Sequence, residues 1–141
     1  MKKMLQKSIL LLCLSLSTVS CEHDKNSVQP AGSPSTNIPG SGWKISLYTE
    51  PGENKTSDYT GYIFEFGANG AMTAVHDGQS TTGTWRQYQD DGVTKFEIAL
   101  NTADKDLEDL NDDWVIVTKS DSVISLKDDN DSKNEELQFS K

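Results

Sequence analysis

From residue 43 onward, apolar and polar residues alternate with the period of two that sends successive side chains to opposite faces of a β-strand. Trp43, Ile45 and Leu47 alternate with Lys44, Ser46 and Tyr48, and Tyr62, Phe64 and Phe66 share a face that Glu65 leaves. Met72 and Ala74 mark a third strand, and Trp85 centres a longer one over residues 81–89. Phe96, Ile98 and Leu100 follow, then residues 114–118, then Ile124 with Leu126, and last Leu137 with Phe139. Turn chemistry separates these runs at Pro51-Gly52, Asn69-Gly70, Asp77-Gly78, Asp90-Asp91-Gly92, residues 119–122 and residues 128–134. One stretch breaks the alternation. Over residues 104–111, Leu107 and Leu110 stand three apart, and Asp104 and Asp106 occupy the start of a short helix, where its positive end favours anions.

Eight short antiparallel strands in sequence leave two exposed edges in an open sheet, and closure removes both. The expected fold is therefore all-β: a small eight-stranded antiparallel up-and-down barrel with one short helix. A two-layer sandwich is the alternative, and it needs longer crossing connections. An eight-stranded barrel has room for its own side chains or for one small ligand. Trp43, Tyr62, Phe64, Phe66, Trp85, Phe96, Trp114 and Phe139 are assigned inward-facing positions. Each contributes roughly 1.5 to 3 kcal/mol when buried, against ~1 to 2 kcal/mol for ordering each residue, so the domain needs nearly all of them as core. The expectation is a filled interior with at most a shallow mouth, where Tyr48, Tyr62 and Tyr88 are the candidate ligand-binding residues.

The first 41 residues follow a different logic. Lys2, Lys3 and Lys7 precede an apolar run from Ile9 to Leu16, and small residues lead to Cys21. This is the layout of an export signal, with an apolar run about half the ~20 residues a membrane-spanning helix requires. The stretch Thr18-Val19-Ser20-Cys21 resembles the lipobox of bacterial lipoproteins, with Thr18 where leucine is usual. The resemblance implies cleavage after residue 20 and lipid attached to Cys21. The alternative is an ordinary secretory signal that leaves Cys21 a free thiol. With Cys13 in the removed segment and Cys21 lipidated, the mature chain has no disulfide. Residues 21–41 then form a lipidated N-terminus and tether. Pro30, Pro34 and Pro39 are spaced among small and polar residues that cannot offset the entropy of ordering, and such a coil holds the domain of residues 42–141 roughly 25 Å from a bilayer. Glu22 and Asp24 resemble the acidic surface-export signals of some Gram-negative lipoproteins, which adds the cell surface to the outer membrane as an address.

Charge narrows the partners. Three of the 13 basic residues and none of the 22 acidic ones precede Cys21, leaving a formal −12 after cleavage. Such a surface repels phosphate backbones and anionic headgroups, which argues against nucleic acid and leaves membrane attachment to the lipid.

Trp43, the run Gly61-Tyr62-Ile63-Phe64-Glu65-Phe66 ahead of Asn69-Gly70, Gly83-Thr84-Trp85, residues 107–110 before Asp113-Trp114, and Leu137-Gln138-Phe139 together resemble the small lipocalin-like lipoproteins of Gram-negative envelopes. The resemblance covers nearly all of the chain after residue 41 and implies a barrel fold and an envelope address, without an established activity. Lipocalins carry Gly-x-Trp on the first strand, whereas Gly42 stands directly before Trp43 and the literal Gly83-Thr84-Trp85 lies on a later strand.

Catalytic signals are few. The two histidines, His23 and His76, are far apart, so no metal pair lies within one element, and no Gly-x-Ser-x-Gly elbow is present. Asp104, Asp106, Glu108 and Asp109 approach the spacing of a calcium loop but lack its glycine and closing glutamate. Asp128, Asp129, Asp131 and Glu135 also lack the glycine, and a polar turn accounts for them better than a weak calcium site. No metal and no cofactor are therefore assigned. Asp121-Ser122-Val123 resembles an O-glycosylation acceptor of some Gram-negative envelope proteins, with Ser122 as the site, although Asp-Ser is also ordinary turn chemistry. Asn54-Lys55-Thr56 matches a eukaryotic sequon that a lipobox-reading cell would not use. The expectation is a non-enzymatic, lipid-anchored envelope protein with a structural or interaction role. The alternative is a module that binds a small apolar or glycan ligand at the barrel mouth.

Overall fold

The computed structural model describes residue 38 and residues 40–130 and 132–141. The signal segment, Cys21 and nearly all of the tether lie outside the described residues. The fold is all-β, with one nine-stranded antiparallel sheet in the order β2-β1-β9-β8-β7-β6-β5-β4-β3. The strands are β1 (Lys44–Glu50), β2 (Glu53–Asn54), β3 (Ile63–Phe66), β4 (Ala71–His76), β5 (Gln79–Asp90), β6 (Val93–Leu100), β7 (Asp113–Lys119), β8 (Val123–Lys127) and β9 (Glu136–Ser140). Each of the eight expected strands is present.

The ninth, β2, comes from the Pro51-Gly52 break. Gly52 sits at a φ of +83°, the left-handed backbone a Pro-Gly turn demands at its second central residue, and the chain doubles back so that Glu53 pairs with Glu50. What reads as an interruption is a reversal. It also alters the edge of β1. Lys55 N–H donates to the Tyr48 carbonyl at 2.9 Å, and Tyr48 N–H donates to Thr56 Oγ1 at 2.9 Å. These groups are therefore taken by residues 55 and 56 and not by β3. The expected eight-strand ladder is replaced by a nine-strand order that ends at β2 and β3, and an isolated antiparallel bridge joins Trp43 to Phe64. There Trp43 N–H donates to the Phe64 carbonyl at 3.1 Å and Phe64 N–H to the Trp43 carbonyl at 2.8 Å. Packing reaches back before Trp43: Ile38 is buried, and the Gly40 carbonyl accepts the Phe66 N–H at 2.7 Å.

A second departure from simple alternation lies within β1. The pairing with β9 shifts between Ile45 and Leu47, so Ile45 faces Phe139 while Tyr48 faces Leu137. A bulge of this kind flips every later side chain to the other face. Tyr48 is consequently buried and Leu47 half-exposed, the reverse of the expected placement.

The core is built on rings. Phe66 is met nearly edge-on by Trp43, Trp85, Phe96 and Phe139, with centroids 5.3 to 6.3 Å away. Trp85 and Phe96 stack at 5.3 Å.

One end is covered by the β6–β7 connection. Asp104 caps the single-turn helix α1 (Lys105–Glu108), accepting from Asp106 N–H at 3.0 Å and Leu107 N–H at 3.4 Å. Leu107 and Leu110 are buried beneath it. Asn111 completes the connection by imitating a strand: its Oδ1 accepts Leu100 N–H at 2.6 Å and its Nδ2 donates to the Leu100 carbonyl at 3.1 Å. Asn111→Ala is expected to cost about 1 to 3 kcal/mol in a denaturant melt, since it leaves both Leu100 backbone groups unmatched. A loss below a few tenths of a kcal/mol would show that water replaces the amide.

Candidate functional site

The three tyrosines assigned to a mouth do not share one. Tyr48 is enclosed, its O–H 3.4 Å from both Glu50 Oε1 and the Asp109 carbonyl. Burial pushes its phenol well above the usual range, with Glu50 adding to the effect. Tyr59, from the 3-10 turn Thr56–Tyr59, joins it to Tyr62 through ring contacts at 5.3 and 6.4 Å. Tyr62 is half-buried, stacked on His76 at 4.5 Å and near-parallel to Phe64 at 6.0 Å, with its O–H 3.3 Å from Asp104 Oδ2. A cleft of about 300 Å³ opens beside it, lined by His76, Thr81, Asp104 and Leu107 among others. The Tyr62 ring is thus already packed by the protein's own His76 and Phe64 side chains. His76 is the one histidine among the described residues, and its nearest acid, Asp77, is 3.8 Å away and exposed.

Tyr88 is on the outer face of β5. Trp85 points inward, so Arg86 and Tyr88 point out. Arg86 lies 4.5 Å over the Tyr88 ring and pairs with Glu97, and the Tyr88 O–H donates to Asp113 Oδ2 at 3.2 Å. The same outer face holds a group absent from the sequence reading. Lys95 is buried, its Nζ 2.7 Å from Asp129 Oδ2 and 3.5 Å from Asp113 Oδ2. Burial alone would pull the ammonium down, but the Asp129 hydrogen bond and the Asp113 charge outweigh it and hold Lys95 above its usual value. Burial likewise pushes Asp113 up, while Lys95 and neighbouring hydrogen bonds bring it below the usual carboxylate range. A lysine held charged between two acids is a clasp, unlike the desolvated amines that act as nucleophiles.

Carboxylates gather at the end of the sheet where β7 begins, β8 ends and β9 begins. Asp112, Asp128 and Glu135 each bring a ligand oxygen within 4.8 Å of the others. In the sequence Asp128 and Glu135 flank one polar turn, whereas Asp112 directly precedes β7. Asp129 turns aside to Lys95 and takes no part, and Asp131 lies outside the described residues. Asp128 is fixed by its own loop: Oδ1 accepts Asn130 N–H at 2.6 Å, and its backbone N–H donates to the Glu135 carbonyl at 3.0 Å. Lys133 Nζ lies 3.1 Å from Asp128 Oδ2 and 3.6 Å from Asp112 Oδ2. Burial pushes both Asp112 and Glu135 above the usual carboxylate range.

Ser122 lies exposed in the β7–β8 turn; its carbonyl accepts Lys141 N–H at 3.0 Å, and its backbone N–H is 3.4 Å from Ser120 Oγ. Cys21 lies outside the described residues.

No protein-family model matches the chain, and no curated protein matches its sequence. Among solved structures, the fold is similar to that of a duf4847 family protein from Bacteroides vulgatus ATCC 8482. The two are 16% identical with a TM-score of 0.52, over 74% of this chain and 94% of that one. At that identity the likeness concerns the fold alone.

Proposed function

We propose that this chain is a lipid-anchored protein of a bacterial envelope whose folded part, residues 42–141, is a non-enzymatic interaction or accessory module. In this reading the sheet is a small barrel closed at the Trp43–Phe64 bridge, with β2 as an added edge. The observation that carries the proposal is the ring cluster around Phe66, because a lipocalin-like shell whose centre is filled by its own aromatic side chains has no calyx for a hydrophobic cargo. The Lys95 clasp and the engaged Tyr62 ring support it, since neither is a reactive group or an open platform. The anchor follows from the lipobox resemblance at Cys21.

Two measurements test it. Cys21→Ser is expected to move the protein from the detergent phase to the aqueous phase on phase partition; a variant still partitioning into detergent would remove the anchor. Native mass spectrometry of the wild-type protein in detergent should give the lipidated chain without a retained small molecule. A stoichiometric apolar or glycan adduct would instead establish the ligand-binding alternative.

A further inference from the structure

We infer that Asp112, Asp128 and Glu135 form a binding site for a hard divalent cation, calcium, that ties together the ends of three adjacent strands. The inference is independent of the anchor and of the interaction role.

The first ground is convergence. The three residues come from the start of β7, the end of β8 and the approach to β9, which are neighbours in the sheet. Their oxygens lie within 4.8 Å of one another. Oxygens this close together can ligate one calcium ion at about 2.4 Å each. The selection among acids is specific, because Asp129, adjacent in sequence to Asp128, is drawn off to Lys95.

The second ground is Asp128 itself. Its side chain is only 2% exposed, and Oδ2 is buried without accepting a hydrogen bond. A buried carboxylate oxygen left in that state is costly, and interiors ordinarily pair such groups. The nearby positive charge is Lys133, whose ammonium at 3.1 Å makes an ion pair without hydrogen-bond geometry and whose side chain is 46% exposed. One flexible ammonium carries a single positive charge against three carboxylates. It stands where a cation belongs and can swing into solvent when a doubly charged ion takes its place.

Donor chemistry selects the ion. Carboxylate oxygens without nitrogen or sulfur suit hard cations and not zinc or copper. Calcium accepts irregular oxygen shells completed by water and carbonyl groups, whereas magnesium requires a near-ideal octahedron at shorter range. A partly open site with three acids and a competing lysine belongs to the weak class of extracellular modules, with Kd of about 0.1 to 1 mM.

The test is a thermal melt and calorimetric titration of the purified full chain, freed of metal by chelation, against calcium chloride and separately magnesium chloride. At calcium tenfold above Kd, Tm should rise by roughly 5 to 10 °C, with little response to magnesium. Glu135→Gln, at a half-buried position, should weaken calcium binding at least tenfold while melting cooperatively, and Asp128→Asn should do the same if it folds. Lys133→Gln should act in the opposite direction, tightening calcium several-fold because the competing ammonium is gone. A lysine that serves only as a structural ion pair would lower Tm on replacement and leave calcium affinity unchanged. No shift in the wild type up to ~10 mM calcium, an equal response to magnesium, or a Lys133→Gln variant no tighter than wild type would overturn the inference.

Discussion

Trp85→Ala is expected to lower the stability of the folded domain by about 3 to 5 kcal/mol, the range for deleting a large aromatic side chain from a packed core. Small domains hold only ~5 to 15 kcal/mol in total, so the variant should melt far below the wild type or fail to fold. Trp85 is 2% exposed, stacks on Phe96 at 5.3 Å and meets Phe66 at 5.6 Å, and its indole Nε1 donates to the Gly67 carbonyl at 3.0 Å. Alanine therefore opens a cavity beside the central ring and removes one of the two donors to the Gly67 carbonyl, which keeps the Gly70 N–H at 3.0 Å. Thermal unfolding of the variant decides between two roles for this residue. A melt within a degree or two of the wild type would mean that Trp85 lines a ligand site, and the filled-core reading would fall with it.

A comparable loss, about 3 kcal/mol or more, is expected from adding one methyl group at Gly83. On β5 this glycine shares the inward face with Trp85, a position where a missing side chain would make space for the indole. The obstacle lies elsewhere. A Cβ at residue 83 would stand 2.6 Å from Leu100 Cα and closer still to the Ala99 carbonyl oxygen. Both atoms belong to the backbone of β6, which pairs with β5 over eight residues and cannot rotate aside as a side chain would. Overpacking usually costs 1 to 3 kcal/mol, and a clash with paired backbone belongs at or beyond the top of that range. Combining Gly83→Ala with Trp85→Leu distinguishes the two explanations: no recovery of stability is expected, and a substantial recovery would show that the glycine makes room for the tryptophan after all.

Strand positions are legible in this sequence because period-two alternation and Gly-containing turns are local signals. What escapes is set by events that alternation does not encode. The bulge in β1 exchanges the faces of Leu47 and Tyr48, so a tyrosine expected at a mouth is enclosed. Tyr88 is a different case, because its outward position follows from an inward Trp85 by simple parity and was available without the structure. β2 exists through a two-residue turn and two residues of pairing, too short for any periodic pattern. The carboxylate cluster is illegible for a third reason. Asp112 joins Asp128 and Glu135 through the order of strands in the sheet, and nothing local separates Asp128 from Asp129, one facing the cluster and the other the Lys95 clasp.

The start of β1 lies against the end of β9, Lys44 pairing with Ser140, and Lys141 Nζ rests 5.3 Å over the Trp43 ring. Chain entry and exit thus share one pole of the molecule, and the Asp112, Asp128 and Glu135 carboxylates sit at the other, roughly 20 Å away along a strand of seven residues. For a protein held through residues that precede Trp43 by a flexible coil, this polarity biases the acidic pole to lie farther from the point of attachment. In that arrangement a macromolecule approaching from the side away from the attachment meets the acidic pole first. A label at Lys141 would therefore report the attachment side, while one in the β8–β9 loop would report what arrives from beyond.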